Sequence, residues 1–89
     1  MDLSILIVTY NSAMLIDGLL NHLSHEIAAC RSRYRIEVVL VDNHSADDTA
    51  ARVARHHPWV RLVASTSNLG FAAGNNLAAT YAQGRYLLL

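Results

Sequence analysis

Three polar clusters each follow an apolar run in this 89-residue chain: Thr9, Tyr10 and Asn11 after "SILIV", Asp42, Asn43 and His44 after "VVLV", and Ser65 to Asn68 after "RLVA". Hydroxyls, amides, a carboxylate and a phenol ring in such places can hydrogen-bond to a ligand or stack on it. Asp42 is the sharpest of them. A carboxylate directly behind an apolar run either accepts a hydrogen bond from a ligand N–H or hydroxyl, or caps the turn that follows. The stretch "NLGFAAGNN", Asn68 to Asn76, adds a different signal. Gly70 and Gly74 lie four apart, with Phe71 between them and Asn75 and Asn76 behind, yet Leu77 to Gln83 reads as helix. Glycine and asparagine are weak helix formers. Missing side chains on one face of a helix start let a ligand or a neighbouring strand come close, and the N–H groups there suit an anion.

Other chemistries fit less well. A dinucleotide fold also places an acid after its second strand, but it needs a glycine-rich turn after the first. Here that turn is "TYNS", without glycine. "GFAAG" lacks the Gly-Lys-Ser/Thr ending of a phosphate-binding loop. Asp47 and Asp48 read as first-turn acids of a helix, favourable by roughly 0.3–1 kcal/mol without any ligand. Of the five histidines, His22 and His25 share a helix face without a third ligand, and His56 and His57 suit a helix C-terminus. Only His44, beside Asp42, has a place near a site.

The elements that must hold these groups follow from the hydrophobic pattern. Leu3 to Tyr10 is a β-branched and leucine run, the mark of a strand buried on both faces. Asn11 or Ser12 offers an N-cap, and Leu15, Ile16, Leu19, Leu20, Leu23 and Ile27 recur at helical spacing to about Ala29. Arg35 to Asp42 is a second buried strand. Ser45 and Asp48 have capping-box-like spacing before a helix that runs to His57 and is stopped by Pro58. Trp59 to Ser65 is a shorter strand. A third helix begins after Asn68 to Gly70 and ends at Gly84, read as a left-handed C-cap. Arg85 to Leu89 is a fourth strand. The order β-α-β-α-β-α-β predicts an α/β, Rossmann-like, mainly parallel sheet flanked by helices. Ligands of such sheets bind at the carboxyl ends of the strands, where the three polar clusters converge.

Composition agrees with one small layered domain: 53% of residues are hydrophobic and 16% charged. A net charge of zero shows no footprint for DNA, RNA or anionic lipid. The single Cys30 has no internal disulfide partner. "MDLSILIVTY" is too short to span a bilayer and lacks the flanks of a signal peptide. "GRYLLL" stops within an apolar run, so the chain is expected to be the first part of a larger domain, with a sheet edge open to self-association.

Taken together, "SILIVTYNS", "EVVLVDNHSADDT", "VRLVASTSNLGFAAGNN" and "GRYLLL" resemble the amino-terminal half of the family 2 glycosyltransferases, over nearly the whole chain and in that family's order. The combination is specific, whereas any one element alone is weak. "NLGFAAGNN" looks most like bacterial rhamnosyl- and galactofuranosyltransferases. The resemblance implies a truncated GT-A fold in which residues 1–89 are the amino-terminal nucleotide-sugar-binding part. It implies that Thr9 and Tyr10 line a nucleobase pocket, that Asn11 belongs to the nucleotide-sugar site, and that Asp42 accepts the ring N–H of uracil or thymine. Asn43 and Ser45 then hold the turn. Gly70 to Asn76, with Phe71 and Gly74, run under the ribose and diphosphate, Asn75 or Asn76 near the sugar, and Asn68 belongs to the same nucleotide-sugar site.

The same resemblance implies a UDP- or dTDP-sugar donor and a carbohydrate or lipid-linked acceptor in polysaccharide or cell-envelope synthesis, with no nucleic acid partner. It also implies a divalent Mg or Mn ion whose ligands, like the catalytic base, lie beyond Leu89. The 89 residues alone are then not expected to turn over, and none of them is a catalytic or metal residue. The protein is expected in the cytoplasm, or at the cytoplasmic face of the membrane when full-length. Two other readings share the α/β plan. A sugar nucleotidyltransferase would carry a glycine-rich, basic loop in place of "TYNS". A non-catalytic nucleotide-binding or structural module would need no acidic motif after the last strand.

Overall fold

The computed structural model describes residues 1–88. Its elements are β1 (Leu3–Thr9), α1 (Ala13–Cys30), β2 (Ile36–Asp42), α2 (Thr49–His56), β3 (Arg61–Ala64), α3 (Gly70–Tyr81) and β4 (Tyr86–Leu88). The fourth strand expected from the sequence runs on to Leu89, which lies outside the described residues. The four strands form one parallel sheet in the order β3-β2-β1-β4. The α/β class, Rossmann-like plan and element order expected above are therefore present.

Period-two alternation in the central strands builds two cores. Val38 and Leu40 of β2 face α1 and α2, packing with Ile16, Leu20, Val53 and Val60. Val39 and Val41 face the opposite side, packing with Leu6 of β1 and Ala78 of α3. The layers are thus two helices, a sheet and one helix. The small residues of α3 now have a packing reason. Gly74, Asn75 and Ala78 are its buried positions. A Cβ on Gly74 would lie 3.0 Å from Val8 Cγ1 and 3.2 Å from Asn43 Nδ2, so the helix axis can sit this close to the sheet only without a side chain there.

Several local expectations change. The Ser45–Asp48 capping box does not form, because the Ser45 hydroxyl donates to Asp42 instead. Asp47 and Asp48 precede α2 rather than lie in its first turn, and Asp48 is the N-cap residue. Asp47 joins two helix starts. Its Oδ1 accepts from Thr49 N–H at 3.1 Å, and its Oδ2 accepts from Ala13 N–H at 3.2 Å. Hydrogen bonds from the Thr49 hydroxyl, and then from backbone N–H groups, hold the Asp47 carboxyl below its ordinary pKa.

Gly84 is not a left-handed cap, since the glycine with positive φ is Gly70, at 81°. Gly84 is needed for space. A Cβ there would sit 2.6 Å from Ser4 N and 2.8 Å from Leu3 C. His57 is not a solvated end-of-helix cation either. It is 2% exposed, and its Nε2 lies 2.8 Å from Asp17 Oδ1 on α1.

Candidate functional site

Parallel register sets the strand ends level: Thr9 partners Asp42, and Asp42 partners Ala64. Backbone bonds extend the alignment one step further, from Asn43 N–H to Thr9 O at 2.8 Å and from Ser65 N–H to Asp42 O at 2.9 Å. The polar residues that follow these strands are therefore neighbours in space, as the pattern predicts.

Beneath the surface they form a closed network. Asp42 is 3% exposed. Its Oδ1 accepts from Thr9 Oγ1 at 2.9 Å and from Ser45 Oγ at 2.6 Å, while its Oδ2 accepts from Ser45 N–H at 3.0 Å. Asn11 adopts a left-handed φ of 51° and ties the two loops together. It donates its N–H to Ser45 Oγ at 2.8 Å and accepts Ala46 N–H on its Oδ1 at 2.8 Å.

Asn43, buried like Asp42, clamps the start of α3. Its Oδ1 accepts Leu69 N–H at 3.0 Å and its Nδ2 donates to Gly70 O at 2.9 Å. Asn68 adds a local turn by accepting Gly70 N–H at 2.8 Å. With Leu69 and Gly70 so engaged, the N–H groups of Phe71 and Ala72 have no hydrogen-bond partner among the described residues. They form the open positive end of α3.

Above this frame lies a cleft of about 250 Å³. Thr9, Tyr10, Asn43, Asn68, Gly70 and Phe71 line it, and all six are residues singled out in the sequence. Val8 joins them without having been singled out; its signal is its even position with Leu6 on the α3 side of β1. Tyr10 is 52% exposed and Phe71 74%, so two aromatic rings stand at one cleft with open faces. The remaining candidates do not reach it. Asn11, Asp42 and Ser45 form the network behind, and Gly74 and Asn75 are buried under α3. Asn75 Nδ2 donates to Phe71 O at 3.2 Å, and Asn76 is exposed without lining the cleft.

Gly70 and Gly74 thus serve different ends, one a backbone turn and the other close packing, rather than one ligand-facing surface. His44 is exposed with φ 62° and also stands apart. Larger clefts of about 620 and 590 Å³ occur at the amino ends of the strands. None of the polar clusters lies there, and the carboxyl-end rule for α/β sheets favours the smaller cleft as the candidate site.

Divalent metal chemistry does not fit the residues present. Among the described residues no three His, Cys, Asp or Glu side chains stand together to hold an ion. Asp42 and Asp47 are already hydrogen-bonded to hydroxyls and N–H groups.

Known proteins share the sequence and the fold of this chain. The succinoglycan biosynthesis protein ExoO of Rhizobium meliloti (strain 1021) is 36% identical over 87 residues, covering 97% of this chain and 24% of that protein. Residues 1–349 of S. aureus TarS, solved in complex with UDP-GlcNAc, superpose with a TM-score of 0.76 at 31% identity, covering 99% of this chain and 25% of that one. The Pyrobaculum calidifontis mannosyltransferase PcManGT, solved with GDP-Man and Mn2+, superposes with a TM-score of 0.79 at 31% identity, covering 96% and 25%. The chain thus spans about a quarter of the length of these relatives. The sequence profile described as Glycosyl transferase family 2 matches residues 4–89, and the chain belongs to that family.

Proposed function

We propose that this chain is the donor-binding part of a glycosyltransferase that moves a sugar from a UDP- or dTDP-linked donor to a carbohydrate or lipid-linked acceptor, in polysaccharide or cell-envelope synthesis. The observation that carries the reading is the cleft shared by the Tyr10 and Phe71 rings and the start of α3. A nucleobase stacks on the exposed rings, each contact contributing about 1–3 kcal/mol. The free N–H groups of Phe71 and Ala72 face the negative diphosphate. Asp42, behind Thr9, acts through the loops: its hydrogen bonds to Thr9 and Ser45 hold the strand ends that carry the cleft. The TarS structure with UDP-GlcNAc supports a pyrimidine donor.

A divalent Mg or Mn ion belongs to the proposal for the intact enzyme, supported by the Mn2+ in the mannosyltransferase structure. Its ligands are not assigned to this chain. The cytoplasmic location expected from the resemblance is part of the same proposal. GDP-Man in that relative favours a purine donor as the second reading.

Calorimetric titration of UDP, dTDP and GDP, with and without Mg or Mn, tests these points. The pyrimidine diphosphates are expected to bind tighter than GDP. Tyr10→Ala and Phe71→Ala are each expected to weaken binding about tenfold without lowering the melting temperature, because both rings are exposed. Equal or tighter GDP binding replaces the pyrimidine assignment with the purine one. Unchanged affinity in both variants rejects the cleft.

A further inference from the structure

The arginines of this chain are unevenly placed. Of the seven basic residues, Arg31, Arg33 and Arg35 lie in the link between α1 and β2, and Arg85 directly precedes β4. All four side chains are exposed at the amino ends of the strands. None pairs with a carboxylate among the described residues. Asp2, which lines the cleft of about 590 Å³ at this end, accepts the Arg35 backbone N–H on Oδ2 at 2.7 Å. Asp42, Asp47 and Asp48 stand at the other end of the sheet, around the start of α2. The neutral net charge thus hides a cationic pole at the amino ends, where four arginines outnumber the acids Asp2 and Glu37, the latter accepting from Ser4 Oγ and Gln83 N–H.

The cationic pole is also apolar and aromatic. Two clefts of about 620 and 590 Å³ meet there, sharing Tyr34 and Ile36. Met1, Ile27 and Trp59 line the first. Tyr34 is 54% exposed and Trp59 42%.

We propose that this face docks the protein on an anionic phospholipid bilayer. Guanidinium groups suit lipid phosphates. Tryptophan and tyrosine sit well at headgroup depth, with a polar edge toward water and a ring toward the acyl chains. Met1, exposed at the rim, supplies apolar surface at the acyl boundary, above a floor of the half-buried Ile27 and Ile36. A polynucleotide or an acidic peptide would use the arginines and leave that apolar floor without a partner. The face lies at the end of the strands opposite the donor cleft, so a docked molecule holds that cleft open to water. Nothing in the inference depends on the donor, and its test uses none.

Co-sedimentation of the intact protein with vesicles of phosphatidylglycerol and phosphatidylcholine, against phosphatidylcholine alone, tests it. Binding is expected to the anionic vesicles and to weaken with salt. The Arg31→Gln, Arg33→Gln double variant is expected to lower partitioning about thirty-fold, and Trp59→Ala to lower it as well. His44→Asn, at the carboxyl ends of the strands, is expected to leave it unchanged. Every one of these side chains is exposed, so circular dichroism melts should match the parent. Equal binding to neutral vesicles overturns the proposal, as does full binding by the arginine variant. Arginine-dependent binding to a polynucleotide or polyglutamate in place of vesicles overturns it too.

Discussion

The Asp42 carboxylate, buried behind the cleft, accepts three hydrogen bonds from Thr9 and Ser45 and so ties together the loops after β1 and β2. Asparagine keeps the size but not the chemistry. With its Nδ2 in the Oδ2 position, two donors meet at Ser45 N–H. With Nδ2 in the Oδ1 position, it faces two hydroxyls, one of which already accepts Asn11 N–H. Asp42→Asn is therefore expected to cost about 1–3 kcal/mol of stability and, by loosening the loops that carry Thr9 and Tyr10, to weaken pyrimidine diphosphate binding. Urea denaturation and calorimetry on one preparation check both. A variant that lost affinity with stability intact would show that the Thr9–Asp42–Ser45 network does not hold these loops.

At the scale of elements, strand and helix order was legible because each run carries its own periodicity: "VVLV" and "SILIV" for the buried strands, Ile16 and Leu20 for the face of α1. What stayed hidden depends on partners far along the chain. Nothing near His57 indicates Asp17, forty residues away, and nothing near Gly84 indicates the Ser4 backbone. The polar strand ends could be read as a site, yet which of them face the cleft and which form the frame behind it depends on loop geometry.

Both hidden contacts yield tests. Gly84→Ala drives a Cβ into main-chain atoms that cannot turn aside, at an expected cost on the order of 1–3 kcal/mol. Gly18→Ala, in α1 with nothing within 4 Å of the new Cβ, is expected to stabilise by roughly 0.5–1 kcal/mol. Thermal melts of the pair separate space from propensity. The bond from His57, followed by Arg52, holds the Asp17 carboxyl below its ordinary pKa. A depressed carboxylate stabilises the fold at pH above the unfolded value, and the contribution is lost as pH falls through the folded one. The parent is thus expected to lose stability below about pH 4. Asp17→Asn should flatten that acid limb, and denaturation midpoints across the range would show it.

For the molecule as a whole, the sheet is unevenly protected. β1 and β2 pair on both sides, whereas β4 pairs only with β1, through three residues. Tyr86, Leu87 and Leu88 are 69%, 50% and 54% exposed, so the outer edge of β4 offers free backbone groups beside apolar side chains. Such an edge is a template for another strand. A two-fold dimer through it would join two β4 strands antiparallel and extend each sheet by its copy. The 89-residue chain on its own is accordingly expected to self-associate as concentration rises, with light scattering following the mass. Leu87→Lys places a charge on the edge and should return the chain to a single copy. Association that persists in that variant would move the contact to Met14 and Leu15 on α1, which are 98% and 76% exposed. A mass that never rises would mean that the loops around β4 already shield its edge.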